Sequence, residues 1–345
     1  MKRDLSIYLD LLRLIAALGV FLGHGSHLFS GGIGRLGFNA AESVAVFFVL
    51  SGFVIAFVTD EKENNWRSYA KSRVVRIYSV TILALIVTIG FDFAGAKFEP
   101  SIYAGQAAPS ALDFAAKIGV YFTFLNEVWG AHSVIGSNEP YWSLGFEVWY
   151  YIIFGLILYL QGAKRAVAVI AALAIVGPYI AIYFLLWLVG VFTYKAVKLR
   201  LWSKIVGDSI WLNAAGVAAT PLAYFLIKFH SLHGISPVYM VVPPIELLKS
   251  FTYFLLIGLV ASVSILFFGN LPDSKLVFPE WSAKSIRWLA GGSFTLYLMH
   301  LPVLNFLNAL VGGGSHEGAT APLLMVGCLL YTSPSPRDRT RSRMP

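Results

Sequence analysis

The sequence has little charge and almost no cysteine, and each shortage excludes a class of protein. Of its 345 residues only 13% are charged and 57% are hydrophobic, whereas soluble domains carry about 25% charged residues. The single cysteine, Cys328, excludes internal disulfides and thiolate metal clusters. Several apolar stretches of roughly 17–25 residues are long enough to cross a bilayer. The composition therefore indicates an integral membrane protein.

Signatures of other functional classes are also missing. There is no G-x-S-x-G elbow, no Walker motif and no G-x-G-x-x-G after a strand. The formal charge of +8 is assigned to cytoplasmic loops and not to nucleic-acid binding, since no basic stretch lies in a soluble fold. No metal site is predicted, because ligand-spaced carboxylates and thiolates are lacking around His24, His27, His132, His230 and His233.

The end of the chain differs in character from the rest. Residues 328–338 read CLLYTSPSPRD, which resembles a translated sequencing-adapter sequence, and RTRSRMP follows. We therefore expect residues 1–327 to form one transmembrane domain and 328–345 to be a non-native tail. Without its four arginines and one aspartate the formal charge is +5. The natural protein is then expected to be cut inside a last helix beginning near Ala321, the alternative being a disordered basic tail.

Hydropathy and basic loops predict an all-α polytopic bundle of about ten spans with both termini in the cytoplasm. The first span is too long and too interrupted by polar residues for a signal peptide. The stretch 111–129 is interpreted as re-entrant or interfacial, because the parity of the other spans requires that it not cross. Spans are predicted at about 5–29, 42–58, 77–94, 140–160, 166–177, 178–196, 209–229, 250–268, 288–310 and from 321.

Two ionisable residues, Arg13 and His24, interrupt the first span. Eleven residues apart, they lie within about 20° of one helix face and about 16 Å apart along the axis. Ionisable residues inside a membrane are candidate functional sites. The alternatives are an ion pair of Arg13 with Asp10, three residues earlier, and a hydrogen-bonded structural role for His24 near the outer interface.

Four further motifs carry polar residues in apolar surroundings. In FFVLSGFVI, Ser51 and Gly52 are explained by close helix packing. Two arginines three residues apart, Arg73 and Arg76, suit either a phosphate group or a basic membrane anchor. YWSLGFE places the Glu147 carboxylate inside the membrane, where it must be paired, protonated or catalytic. SFTLYLMHLPV places His300 in mid-helix, with a hydrogen-bonded structural histidine as the alternative.

Arg13 with ten residues before His24, followed in order by these four motifs, resembles the membrane acyltransferase-3 family over about residues 5–327. The resemblance implies a ten-span O-acyltransferase that takes acyl groups from acyl-CoA on the cytoplasmic side and modifies bacterial envelope carbohydrates. Two positions depart from the family pattern. Val148 stands where a second acid is usual, and the aspartate often found before FFVLSGF is replaced within 43–46. No hydrolase-like domain is appended, so the stand-alone form is expected.

The resemblance also implies roles for individual residues. Arg13 and His24 match the essential pair of the first helix, Arg73 and Arg76 the arginines linked to acyl-CoA, and Glu147 the first acid of its motif. We expect His24 to act as the general base, Glu147 to orient it, and Arg13 to stabilise negative charge or position the pantetheine arm. Five further residues are expected to bind substrate or support the site: Tyr141, Trp142, Ser143, Tyr297 and His300.

The expected protein is therefore a multi-pass O-acetyltransferase of the bacterial inner membrane. Its expected partners are acyl-CoA as co-substrate, a carbohydrate or glycolipid acceptor and membrane lipids, without metal or nucleic acid. The alternative is a transporter or exporter of a glycan or glycolipid that relays protons through buried Arg, His and Glu. Against it, the sequence shows no internal repeat and few signs of broken helices. A purely structural membrane partner explains the buried charges least well.

Overall fold

The computed structural model describes residues 1–28, 40–105, 110–232, 243–273, 277–316 and 320–332. These residues form α-helices and short 3₁₀ turns and contain no strand, which confirms the all-α class. The helices are α1 (Arg3–Gly25), α2 (Ala40–Lys62), α3 (Trp66–Gly95), α4 (Ala111–Thr123), α5 (Trp142–Tyr159), α6 (Gly162–Lys198), α7 (Leu201–Val206), α8 (Ile210–Leu232), α9 (Leu247–Asn270), α10 (Glu280–Gly291), α11 (Ser293–Leu310) and α12 (Thr320–Thr332).

Contacts between distant parts of the chain define one end of the bundle. The Lys2 ammonium donates hydrogen bonds to the Gly269 and Leu271 carbonyls at 3.1 and 2.7 Å. It also lines a cleft with Lys198, and Lys198 forms an ion pair with Asp60 near the end of α2. The start of α1 therefore lies beside the ends of α2, α6 and α9. We call this the N-terminal end.

Helix α6 crosses the bundle twice. A straight helix of its 37 residues would be about 55 Å long, yet both of its ends lie beside the end of α2. Just before it, the Tyr159 hydroxyl donates to the Glu63 carbonyl, and its last residue pairs with Asp60. The reversal falls at Gly177, whose φ of 79° and ψ of −179° are not helical. The predicted separation into 166–177 and 178–196 is confirmed.

Eight of the described helices are long and apolar enough to cross a membrane. Counting α6 as two crossings and adding the shorter apolar helix α12 agrees with about ten predicted spans. Two predicted boundaries were wrong. Helix α3 begins at Trp66 and not at residue 77, since Asn65 caps it by accepting from the Ser68 amide. The span predicted from residue 288 is divided between α10 and α11, which meet at Gly291 and Gly292.

The segment 111–138 is re-entrant. At its deepest part the Phe122 carbonyl accepts a hydrogen bond of 2.8 Å from Tyr78, in the middle of α3. On the way back, the Ser137 amide donates to Asp92 at 2.7 Å, near the end of α3. Tyr78 and Asp92 are 14 residues apart, or about 21 Å along the helix. The segment thus enters beside α3 and returns to the same end, which confirms that it does not cross.

Helix α2 lies at the centre of the bundle because two glycines let α6 approach it closely. A Cβ on Gly52 would lie 2.1 Å from the Trp187 carbonyl oxygen, and one on Gly190 would lie 2.0 Å from that of Val49. Only glycine fits at such distances, and small residues at helix interfaces allow backbones to meet in membranes. The predicted packing role of Gly52 is confirmed, and this contact fixes the position of the neighbouring Ser51.

Candidate active site

A cavity of about 60 Å³ lies between α1, α2, α3, α5 and α11. Its lining gathers polar side chains from four of the motifs singled out in the sequence and from the first helix. They are Arg13, Ser51, Arg76, Ser143, Glu147, Ser293 and Tyr297. Such a cluster inside a membrane bundle is the arrangement expected of a functional site and not of a packing core. We call it the central cavity.

The central cavity is elongated along the bundle. On α2 its lining runs from Val54 to Val44, which is about 15 Å of helix. Val44 is level with Gly19 of α1, because a Cβ on Gly19 would touch the Ser43 hydroxyl. His24 lies five residues beyond Gly19, and its side chain leans back toward the cavity, as helical side chains do. Arg13 thus lines the interior and His24 lies past the end farthest from the N-terminal end.

Arg13 is held at the cavity wall by an ion pair of 3.3 Å with Asp10 on its own helix. The pair that the sequence offered as an alternative therefore exists. It does not remove Arg13 from the cavity, since the guanidinium also interacts electrostatically with Arg76 and Glu147. The side chain retains 18% of its exposure, which leaves it accessible to a bound molecule.

Arg76 enters the same cavity from α3. Its guanidinium lies 5.7 Å from the centre of the Phe294 ring, within the range of a weak cation–π contact. Across the part of the chain that the structure describes, it forms no ion pair and donates no hydrogen bond. Because Asp10 pairs with Arg13, Arg76 is the charged group of the lining whose positive charge is left to attract an anionic or strongly polar ligand.

Arg73 lies outside the central cavity, although it is only one helical turn from Arg76. Its guanidinium is buried against Glu63 and bonds the Tyr69 carbonyl and the Ser72 hydroxyl. It also stacks 4.0 Å from the centre of the Tyr69 ring. The structure therefore divides the predicted arginine pair, and only Arg76 is placed where a ligand in the central cavity can reach it.

Glu147 accepts hydrogen bonds from two hydroxyls. The Ser51 hydroxyl donates at 2.7 Å, and the Tyr151 hydroxyl donates to the same carboxylate oxygen. The Trp187 indole N–H donates to the Ser51 oxygen at 3.2 Å. Sequence reasoning missed the roles of Ser51, Tyr151 and Trp187. The signal for Ser51 was a hydroxyl inside the otherwise apolar run FFVLSGFVI. The small size of serine, which suits close helix packing, was enough to explain its presence there.

His24 is bonded to His300 and not to Glu147. Its Nδ1 lies 2.9 Å from Nε2 of His300, and the two rings stack with their centres 5.0 Å apart. His300 is fully buried on α11. All hydrogen bonds of Glu147 in the described ranges come from Ser51 and Tyr151. The structure thus does not form the predicted contact between Glu147 and His24, because Glu147 lies deeper, beside Arg13.

The remaining predicted site residues fall into two groups. Ser143 and Tyr297 line the central cavity, with their hydroxyls 2.6 Å apart, and Tyr297 also donates to the Pro140 carbonyl at 3.1 Å. Tyr141 and Trp142 face away from it. Tyr141 donates to the Tyr121 carbonyl at 2.6 Å and stacks on that ring, which anchors the re-entrant segment. Trp142 packs against Phe146.

Together these residues form two neighbouring sites, the central cavity and the pair of His24 and His300. The central cavity is lined by two guanidinium groups and a carboxylate. The histidine pair lies one turn of α11 beyond Tyr297 and offers a nitrogen that can move a proton. This combination suits transfer of a group from an anionic carrier to a nucleophile that needs a base.

Comparisons with known proteins agree with this chemistry. The family model described as an acyltransferase domain matches residues 6–333. Nodulation protein 10 of Rhizobium leguminosarum bv. viciae is 29% identical over 233 residues, which are 61% of this chain and 58% of that protein. Acyltransferase MdmB of Streptomyces mycarofaciens is 26% identical over 297 residues, which are 79% of this chain and 70% of that protein. No solved structure matches the chain.

The match passes the domain end predicted at residue 327, and α12 continues to Thr332. The non-native origin of 328–345 stays a prediction, and residues 333–345 lie outside the described residues. Because the chain spans 58% of the length of nodulation protein 10, similarity alone does not transfer a whole activity to it.

Proposed function

The chain belongs to the acyltransferase domain family, and on this premise we propose that it is an integral membrane O-acyltransferase. The proposed reaction moves an acyl group, acetyl by preference, from acyl-CoA to a hydroxyl of a cell-envelope carbohydrate. The observation that carries the proposal is the central cavity, where Arg13, Arg76 and Glu147 meet between five helices. The lining extends about 15 Å along α2, and an arm that carries the acyl group at its tip would follow this direction.

Arg76 and Arg13 are the residues that hold the donor in this proposal. A guanidinium donates several hydrogen bonds and suits the phosphate and amide oxygens of a coenzyme A arm. Arg76 has no carboxylate partner among the described residues, so ligand binding does not require an existing ion pair to break. Such a charge-assisted contact contributes about 1.5–3 kcal/mol.

His24 is the proposed general base. The acceptor hydroxyl is a poor nucleophile until its proton is removed, and the lone pair of a neutral histidine can accept that proton. His24 takes this proton as the hydroxyl oxygen attacks the acyl carbonyl. The C–S bond of the thioester then breaks, and the proton passes from His24 to the departing thiolate. The products are an O-acyl ester and free coenzyme A.

The proposed orientation places the N-terminal end on the cytoplasmic side of a bacterial inner membrane. Basic side chains gather there around one cleft, with Lys2, Lys198 and Arg200 in its lining. Lysine and arginine are enriched on the cytoplasmic side of membrane proteins. Acyl-CoA would then approach from the N-terminal end, and the carbohydrate or glycolipid acceptor from the end where His24 lies.

The test is transfer of label from [¹⁴C]acetyl-CoA to envelope glycans in membranes that contain the protein. We expect labelled glycan with the wild type and at least a 100-fold lower rate with His24→Gln, since general-base catalysis contributes about 10²–10⁴-fold. The Met299→Ala variant, on a buried residue beside His300, controls for general damage to the fold. Movement of glycan without label would support the transporter, and full activity of His24→Gln would overturn the role of His24.

A further inference from the structure

The contacts of His300 fix which of its ring nitrogens carries a proton. Its Nδ1 lies 3.0 Å from the Leu296 carbonyl oxygen and 2.9 Å from that of Tyr297. Carbonyl oxygens only accept hydrogen bonds, so Nδ1 must be the N–H donor. A neutral imidazole has one N–H, and therefore Nε2 of His300 carries a lone pair and accepts.

The surroundings of His300 favour this neutral form. The side chain is fully buried, and the Phe21 ring meets it edge-on with the centres 6.1 Å apart. In the described stretches no carboxylate contacts the ring, and its Nε2 is bonded to His24, while the Cys328 thiol donates to the main-chain carbonyl of His300. A buried cation without a counter-charge is costly. His300 therefore acts as a fixed acceptor.

The state of His300 determines that of His24. Nδ1 of His24 lies 2.9 Å from Nε2 of His300, which has only a lone pair to offer. His24 must then donate through Nδ1–H, and in its neutral form its own lone pair is on Nε2. We infer that His300 is a positioning residue, which holds His24 in the tautomer whose Nε2 removes the acceptor proton.

Two consequences follow for catalysis. His300 holds the His24 ring by a hydrogen bond and by stacking at an interplanar angle of 25°, which constrains the direction of Nε2. When Nε2 gains a proton, Nδ1–H still donates to His300, which stabilises the imidazolium. In triad logic a carboxylate performs both tasks. Here a buried histidine locked by its own helix carbonyls performs them, while Glu147 is left to act deeper in the cavity.

This inference rests on the proposed function, because it assigns a role within the same transfer reaction. The informative variant is His300→Gln, since a glutamine side chain can present an oxygen acceptor close to the position of Nε2. His300→Leu fills similar space but removes the acceptor. Met299→Ala perturbs the same helix without touching the pair.

In detergent-solubilised protein with a soluble glycan acceptor, we expect His300→Leu to lower kcat about 100-fold and His300→Gln to keep at least a tenth of it. The KM for acetyl-CoA should stay within about twofold in both variants, because the lining of the central cavity is unchanged. Equal losses in the two variants, or no loss in His300→Leu, would overturn the inference while transfer by the wild type still supported the proposed function. Absence of transfer by the wild type would instead remove the function itself.

A measurement independent of activity reads the tautomer directly. Solid-state ¹⁵N NMR of histidine-labelled protein in bilayers distinguishes protonated from unprotonated ring nitrogens, and His24→Gln identifies the His24 signals. At a pH where His24 is neutral, we expect its Nε2 to be unprotonated in the wild type, with loss of this single state in His300→Leu. A protonated Nε2 and unprotonated Nδ1 in the wild type would contradict the geometry.

Discussion

Arg73 and Arg76 lie one turn apart on α3, yet they belong to different kinds of site. The Arg73 guanidinium is largely occupied: Glu63 pairs with it, Ser72 bonds it and the Tyr69 ring covers it, although its Nε has no hydrogen-bond partner. Arg76 lines the central cavity, with its guanidinium 5.7 Å from the centre of the Phe294 ring. The first is a closed network and the second is an open one.

Structural and functional charges in this membrane bundle differ in whether a protein group of opposite charge pairs with them. In a buried ion pair, removal of one partner leaves an uncompensated charge, which is strongly destabilising. A charge that faces a cavity without a counter-ion is energetically costly in the membrane unless a polar ligand or water binds to it. Spacing along the sequence cannot distinguish the two cases, because the two residues share one motif.

The largest effect is expected from breaking the closed network. Arg73→Gln leaves the Glu63 carboxylate buried without its cation, which should lower the free energy of unfolding by about 3–5 kcal/mol. Thermal unfolding in detergent micelles measures this. The matched control is the double variant Arg73→Gln with Glu63→Gln, which removes both charges and should regain most of the stability. Wild-type stability of the single variant would show that the network is not structural.

A smaller effect, on activity and not on stability, is expected in the open site. Arg76→Gln should raise the KM for acetyl-CoA about 10- to 100-fold, which corresponds to a lost contact of about 1.5–3 kcal/mol. Its melting temperature should match the wild type, since no described ion pair is broken. Steady-state transfer kinetics check this, and an unchanged KM would make Arg76 a membrane anchor, as the sequence also allowed.

The smallest effect is expected from a change at Ser51, which tests whether this residue belongs to the open site. Ser51→Ala removes a hydroxyl that donates to Glu147 at 2.7 Å, a hydrogen bond that contributes about 0.5–1.5 kcal/mol. We expect a three- to tenfold lower kcat/KM, because Glu147 also keeps its bond from Tyr151. Ser262→Ala is the control, since that buried hydroxyl bonds Thr193 of α6 and does not line the central cavity. Equal effects in both variants would remove Ser51 from the site.

Much of the fold follows from local sequence signals. The lengths of the apolar stretches predicted the membrane spans, and Gly177 before Pro178 predicted the reversal within α6. Polar residues in 111–129, together with parity, predicted a segment that does not cross. The start of α3 was missed because its first turns are basic and polar, which resembles a cytoplasmic loop. Helix capping by Asn65 outweighed that pattern.

The sequence predicted several residues that lie together in the structure, but not which of them pair with each other. Arg13, Glu147 and Tyr297 do share one cavity, as their unusual polarity suggested. His24 is bonded to His300, which is 276 residues away in the sequence. Spacing along the chain does not predict a contact between residues so far apart. The expected contact of Glu147 with His24 is not formed, because α5 begins inside the bundle, where Tyr141 bonds the Tyr121 carbonyl of the re-entrant segment.

The most direct test of the account is equilibrium binding of a non-transferable acetyl-CoA analogue to three proteins by isothermal titration calorimetry. These are the wild type, Arg76→Gln, and the double variant of Arg73→Gln with Glu63→Gln. The account predicts 10- to 100-fold weaker binding to Arg76→Gln and wild-type affinity for the double variant, because the closed network does not hold the donor. Weaker binding to the double variant with normal binding to Arg76→Gln would contradict it.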